Sequence, residues 1–287
     1  MTFSNITDII IPEGNVIRIQ NSLGDVLWEK QSAGEIPEWY PRSASVDWSQ
    51  EYMQFLALGD GTVDLGYMDY SFDGSNWTNV RSSQTIHVSK YQVLYIKTDV
   101  SYYTLRNFTF DFYVRGNMAL SFTSSYSFRG MFENNTHAIG AKYFIVNYLN
   151  SWGQYMFQNY FKNCTNLVTA PQLPATTLAQ GCYQNMFSGC TSLTAPPPTL
   201  PANTLAQACY WQMFLNCTSL ATPPALPATA LADQCYVQCF QHCTNLETTP
   251  ELNALTLTTQ CYLSMFSDCS KIDYIKMLGI NLNSSAV

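Results

Sequence analysis

The chain has 287 residues, 47% of them hydrophobic and only 11% charged, with a formal net charge of −7. That is enough apolar material for a sizeable core and enough length for two domains plus an appendage. An acidic balance without clustered Lys or Arg argues against nucleic-acid binding, and no stretch reaches the ~18 consecutive apolar residues of a membrane-spanning helix, so no membrane insertion is expected.

The opening residues Met1-Thr2-Phe3-Ser4-Asn5 carry no basic residue, and an acidic, turn-rich segment follows where a signal peptide would have its apolar region; no signal peptide is expected. Ile9-Ile10-Ile11-Pro12-Glu13-Gly14 is a short apolar run ending in a turn. Val16 to Ile19 and Val26 to Trp28 flank Ser22-Leu23-Gly24-Asp25, the pattern of two short strands around a Gly-Asp turn. A two-stranded unit is marginal alone in water. Residues 1–34 therefore read as a β-hairpin module that docks on another surface, either elsewhere in this chain or on another protein. Ile9, Ile11, Val16, Ile19, Leu27 and Trp28 are the candidate anchoring residues.

Residues 35–120 carry short runs of aromatic and β-branched residues between Gly, Asp, Ser and Asn turns: Phe55 to Leu58, Gly66 to Ser71, Thr85 to Val88, Val93 to Lys97 and Phe108 to Val114. In the last run Phe108, Phe110 and Phe112 alternate with Thr109, Asp111 and Tyr113, the two-residue period of a strand. Strands at this spacing predict a β-sandwich.

Residues 121–287 are dominated by five copies of one unit. Phe161, Phe187, Phe214, Phe240 and Phe266 recur at intervals of 26, 27, 26 and 26 residues, in step with Cys164, Cys190, Cys217, Cys243 and Cys269. A second cysteine position holds Cys182, Cys209, Cys235 and Cys261. Self-similarity at that period predicts a solenoid, with the degenerate copy Tyr126 to Phe132 as a first rung and the charged Lys271 to Lys276 at the far end. Within a rung, Leu178, Cys182 and Met186 are apolar at i, i+4 and i+8 with a second row one residue later, which reads as a helical stripe preceded by N-capping Thr176 or Thr177. The prolines at 196, 197 and 198 keep any strand that follows very short.

The cysteine pairs of each rung lie eight apart, the wrong spacing for zinc. Met156 fills the Cys182 position in one rung and Cys239 fills the Met186 position in another, so these sites demand apolar volume, and buried free thiols are expected. Asp69 to Gly74 imitates the start of a calcium loop, but Val80 stands where the bidentate Glu belongs, and an Asp-Gly hairpin turn accounts for the same residues. His87, His137 and His242 stand apart from one another. No phosphate loop, nucleophile elbow or zincin motif occurs; no catalytic, cofactor or metal site is predicted, and the chain does not read as an enzyme. Asn-x-Ser/Thr triplets, among them those at Asn5, Asn76, Asn107, Asn163 and Asn216, read as solvated turns.

Residues 1–120 hold 8 of the 13 basic and 14 of the 20 acidic residues, and no Lys or Arg occurs between Lys162 and Lys271. A surface so nearly free of charge fits a neutral partner such as a glycan, or packing against symmetry mates, or regular rungs that fold without ion pairs.

The unit Leu173 to Leu193, Leu-Pro-Ala-Thr-x-Leu-Ala-x-x-Cys-Tyr-x-x-Met-Phe-x-x-Cys-Thr-x-Leu, resembles the BspA-type leucine-rich repeat of bacterial and phage surface proteins. Tyr70 to Trp77 is similar to the Ser-x-Asp-Gly-Gly-x-x-Trp turn before such repeats in tailed phages of gut bacteria, one residue short, and Gly116 to Leu120 resembles the Gly-Asn-Ile-Met-Ser-Leu joint of that family. Ile11 to Lys30 resembles short N-terminal modules of phage virion proteins. The resemblance implies a virion structural protein, a head or tail fibre or adhesin of the crAss-like kind, made in the bacterial cytoplasm. Its partners would be other virion proteins through the N-terminal segment and a host surface glycan or protein through the solenoid, and by analogy with fibres it would be a homo-oligomer, a trimer. A virion decoration or assembly component whose solenoid packs against other virion proteins is the alternative. The expected fold class is mixed α/β: a hairpin module, a β-sandwich and a leucine-rich-repeat-like solenoid of about five rungs.

Overall fold

The computed structural model describes residues 6–10, 18–21, 26–29, 52–97, 104–117, 128–142, 144–145 and 153–279. The chain divides into two compact units, Met1–Trp48 and Ser49–Val287. In the first, β1 (Ile6–Ile10), β2 (Arg18–Asn21) and β3 (Val26–Glu29) form an antiparallel sheet in that order. β2 and β3 pair antiparallel, with Ile19 opposite Trp28, and the isoleucine run adds a third strand, with Ile9 opposite Ile19; the expected Gly-Asp turn lies outside the described residues. Ile11 and Val16, and the side chains of Ile9, Ile19, Leu27 and Trp28, lie outside the described residues.

The second unit opens with β4 (Met53–Ala57), β5 (Gly61–Gly66), β6 (Met68–Ser71), β7 (Thr78–Val80), β8 (Gln84–Val88), β9 (Val93–Lys97), β10 (Thr104–Arg106) and β11 (Phe112–Asn117). Two more strands follow, β12 (Ala138–Gly140) and β13 (Phe144–Ile145). One sheet runs β10-β5-β8; the other runs β12-β11-β4-β9-β6-β7, with β13 also paired to β11. All five residues of β4 are buried, as a central strand covered on both faces requires. Phe55, Phe108 and Phe112 pack together and against Phe132 of the first, degenerate repeat, so one contiguous apolar cluster runs from the sheets into the repeats. At this joint Gly116 has φ of 107°, and a Cβ there would lie 2.5 Å from the Tyr52 carbonyl oxygen; only glycine fits.

The mixed α/β solenoid expected from the repeats is corrected here. No α-helix occurs among the described residues, which are strands, bridges and turns throughout. Each presumed helix is a run of overlapping turns with a left-handed residue every fourth position: Tyr155, Asn159 and Asn163 in one repeat, Gly181, Asn185 and Gly189 in the next, then Ala208, Gln212 and Asn216. L-residues in that region break an α-helix, so Thr176 and Thr177 have no helix to cap.

The backbone accounts for itself by a different route. Alternate residues donate across to the following repeat, as Tyr183 N–H does to Cys209 O, Asn185 to Trp211 O and Phe187 to Met213 O at 2.9–3.0 Å. The residues between them close turns three back, as Met186 N–H does to Tyr183 O at 3.2 Å. Every N–H and C=O of an interior arc is thereby paired, which is what a buried backbone needs. On the extended side the sheet of β12 continues through parallel bridges Gly140–Thr169 and Thr169–Ala195, and further bridges link Thr199–Ala225 and Leu252–Met277.

Candidate interaction surface of the repeats

Stacking in register turns each repeated position into a column. Phe132, Phe161, Phe187, Phe214, Phe240 and Phe266 form one, with neighbouring centroids 5.1–5.9 Å apart and rings within 18° of parallel. A second column runs Phe128, Phe157, Tyr183, Tyr210, Tyr236 and Tyr262 at 5.4–6.1 Å. Offset aromatic pairs of this kind each add roughly 0.5–1.5 kcal/mol beyond burial.

All ten cysteines are free and buried. They differ in what their sulfur does. Cys164, Cys190, Cys217, Cys243 and Cys269 each donate S–H to the carbonyl of the column phenylalanine one repeat earlier, from Phe132 to Phe240, at 3.0–3.1 Å. This position is Cys in all five copies, whereas Cys182, Cys209, Cys235 and Cys261 occupy the site that Met156 fills elsewhere. Reading the thiols as apolar volume missed this donor role; the signal was the lack of exchange with Met at that one position. Burial pushes the Cys182 and Cys235 thiols up to about 12 and the Cys190, Cys209, Cys217 and Cys239 thiols well above the ordinary thiol range. Reactive thiolates need the opposite environment.

The tyrosine column carries a cost. The hydroxyls of Tyr210 and Tyr236 are buried without a hydrogen-bond partner among the described residues, while Phe128 and Phe157 fill the same column without one. Tyr236→Phe is expected to stabilise the protein by about 1–2 kcal/mol, because it deletes an unsatisfied hydroxyl and keeps the ring. A urea titration in which Tyr236→Phe unfolds earlier than the wild type would contradict this.

On the flanks, amide ladders tie repeats together: Gln158 to Gln184 at 3.0 Å, Gln212 to Gln238 at 2.7 Å, Gln234 to Gln260 at 2.9 Å and Asn185 to Asn159 at 3.2 Å. Ion pairs of the repeats sit at their ends, Lys162–Glu133 at one and Lys271–Glu247 with Lys276–Glu251 at the other. The extended side presents a shallow groove lined by Pro198, Pro223, Pro224, Pro227, Thr249 and Pro250, with Glu251 at its edge toward the C-terminal ion pairs. A second, polar groove lies where the first repeat meets β10, between Asn107 and Asn134, near His137, whose Nδ1 is 2.9 Å from Asp111 Oδ1.

The calcium-like loop is a turn that uses its own oxygens. Asp73 Oδ1 accepts from Ser75 N–H at 2.8 Å and Asn76 N–H at 2.7 Å, its Oδ2 accepts from Asn76 Nδ2 at 2.6 Å, and Ser71 Oγ donates to it at 2.9 Å. These bonds, the Asn76 N–H first, hold the Asp73 carboxyl well below the usual carboxylate range. Arg115 is buried beside Gln54, whose Oε1 accepts from its Nε at 2.7 Å, and desolvation pulls its guanidinium down to about 9.

No family model, no curated protein and no solved structure matches this chain. Its described residues form an all-β fold whose C-terminal repeats stack in register and expose a proline- and threonine-lined flank on which Glu251 is the charged residue of the groove.

Proposed function

We propose that the chain is a phage virion structural protein, a head or tail fibre or adhesin, that presents its repeats for contact with the host cell surface. The observation that carries the reading is the flank without Lys or Arg between 162 and 271, grooved by Pro198, Pro224 and Pro250. Away from Glu251, which is paired with Lys276, such a surface lets a neutral glycan or an uncharged protein loop approach without displacing counterions or desolvating charges. Residues 1–34 serve as the anchor to other virion proteins, and a homo-oligomer, a trimer by analogy with fibres, multiplies weak contacts into firm adhesion. The role is binding and requires no catalytic step or cofactor.

The test has two arms. Virions purified from a gut-bacterial culture carrying the chain's gene are probed for the protein with an antibody; its absence from the particle overturns the reading. Fluorescently labelled full-length protein is then offered to the host cells, with Pro224→Arg/Thr249→Arg protein alongside. Saturable adsorption that the double variant loses at least ~10-fold is expected; a virion-borne protein that adsorbs to no host cell at any concentration is instead a decoration or assembly component.

A further inference from the structure

The last repeat breaks the bonding rule of the others. In four successive repeats, five alternate N–H groups donate to the following repeat, among them Tyr236 to Cys261 O, Gln238 to Leu263 O, Phe240 to Met265 O and His242 to Ser267 O. The equivalent donors in the final arc are Gln260, Tyr262, Ser264, Phe266 and Asp268, and none of these N–H groups has an acceptor among the described residues. The extended side of this repeat is covered, because Leu252 N–H bonds Lys276 O and Leu278 N–H bonds Leu252 O. The arc itself is not. Phe266 is only half-buried, where Phe161, Phe187, Phe214 and Phe240 are fully enclosed. Leu255, Tyr274, Ile275 and Leu278, exposed by 45–76%, belong to this repeat and the segment after it.

We infer that this arc is a docking edge for a segment of a different polypeptide, one that brings a row of main-chain carbonyls and lies down as the next rung. The direction of the bonds selects the partner. Two copies meeting arc to arc would set donors against donors, so no N–H···O bond could form between them. Head-to-tail stacking of copies is blocked because the opposite end, at Phe132, is packed under Phe55, Phe108 and Phe112. An acceptor-bearing peptide instead satisfies five donors and covers the partly open side of Phe266, the logic by which exposed strand edges recruit a strand. The inference does not depend on what the flank binds.

Hydrogen exchange on the full chain tests it, with a synthetic peptide copying residues 230–256 as the probe rung. In the free protein the amides of Tyr262, Ser264, Phe266 and Asp268 are expected to exchange at least ~100-fold faster than those of Tyr236, Gln238, Phe240 and His242. The peptide is expected to bind saturably and slow the first set. Ser264→Asp places a carboxylate at an exposed point in the donor row and is expected to weaken peptide binding at least ~10-fold with the other repeats' exchange unchanged, whereas Ser264→Asn binds normally. The inference is overturned if the arc amides are already slow in the free monomer, if they become protected with rising protein concentration as the chain self-associates, or if no peptide binding is seen at about 1 mM.

Discussion

Raising the pH is expected to unfold this protein abruptly, between about pH 9 and 10. Burial raises the thiols above their unfolded value of ~8.5, so the folded chain holds protons that the unfolded chain releases. The stabilisation these thiols provide is complete below ~8.5 and is lost as pH climbs toward their folded values. The eight from Cys164 to Cys243 are fully enclosed. Each removes about 1.4 kcal/mol of stability per pH unit above ~8.5, so eight together remove about 11 kcal/mol over one unit, comparable to the whole stability of ~5–15 kcal/mol typical of a folded protein. Near-ultraviolet circular dichroism followed against pH in the presence of reductant should show a single steep loss that reverses on neutralisation. Cys239→Met installs the residue that Met186, Met213 and Met265 supply at the same position; it takes one thiol out of the count and should move the midpoint up by roughly 0.1 unit. A protein that keeps its native spectrum at pH 11 would refute the account.

Phe214→Ala is expected to cost about 4 kcal/mol. Phe214 is fully buried and stacks on Phe187 at 5.5 Å and Phe240 at 5.3 Å. Its carbonyl also accepts from Cys217 N–H and from Cys243 Sγ, both at 3.1 Å, so a cavity there loosens bonded neighbours on both sides. In a stack whose stability is a sum of repeat and neighbour terms, a central defect weakens two interfaces and a terminal one weakens one. Phe266→Ala, with one stacked ring neighbour among the described residues, at 5.6 Å, and a partly exposed side chain, should therefore cost about half as much. Urea unfolding of the two variants side by side decides it, and equal losses would mean that the column is not what couples the repeats.

Much of the β part was legible from local pattern. Phe108, Phe110 and Phe112 are buried while Thr109 and Asp111 are exposed, as their alternation requires, although the regular strand begins only at Phe112. The strands at Gly61–Gly66 and Thr78–Val80 escaped notice because Gly, Asp and Asn interrupt their apolar residues. The helical reading of the repeats failed for a specific reason. Their buried residues, such as Cys182, Tyr183, Met186, Phe187 and Cys190, recur every four positions. Four residues of an α-helix turn about 40° past a full circle, so across two or three turns a four-residue period looks like a drifting helical stripe. Over that length the two are hard to separate.

The sequence by itself determined the unit of the C-terminal half, its length, its buried positions and the near absence of charge along it, because burial and periodicity are local properties that a window of residues displays. Only the tertiary structure decided the backbone conformation of that unit, because its bonds join residues 25–26 positions apart, as Tyr155 joins Gln180 and Tyr183 joins Cys209. Those partners set the left-handed residue at every fourth position, gave one cysteine column its carbonyl and left the final arc with donors that meet no acceptor among the described residues.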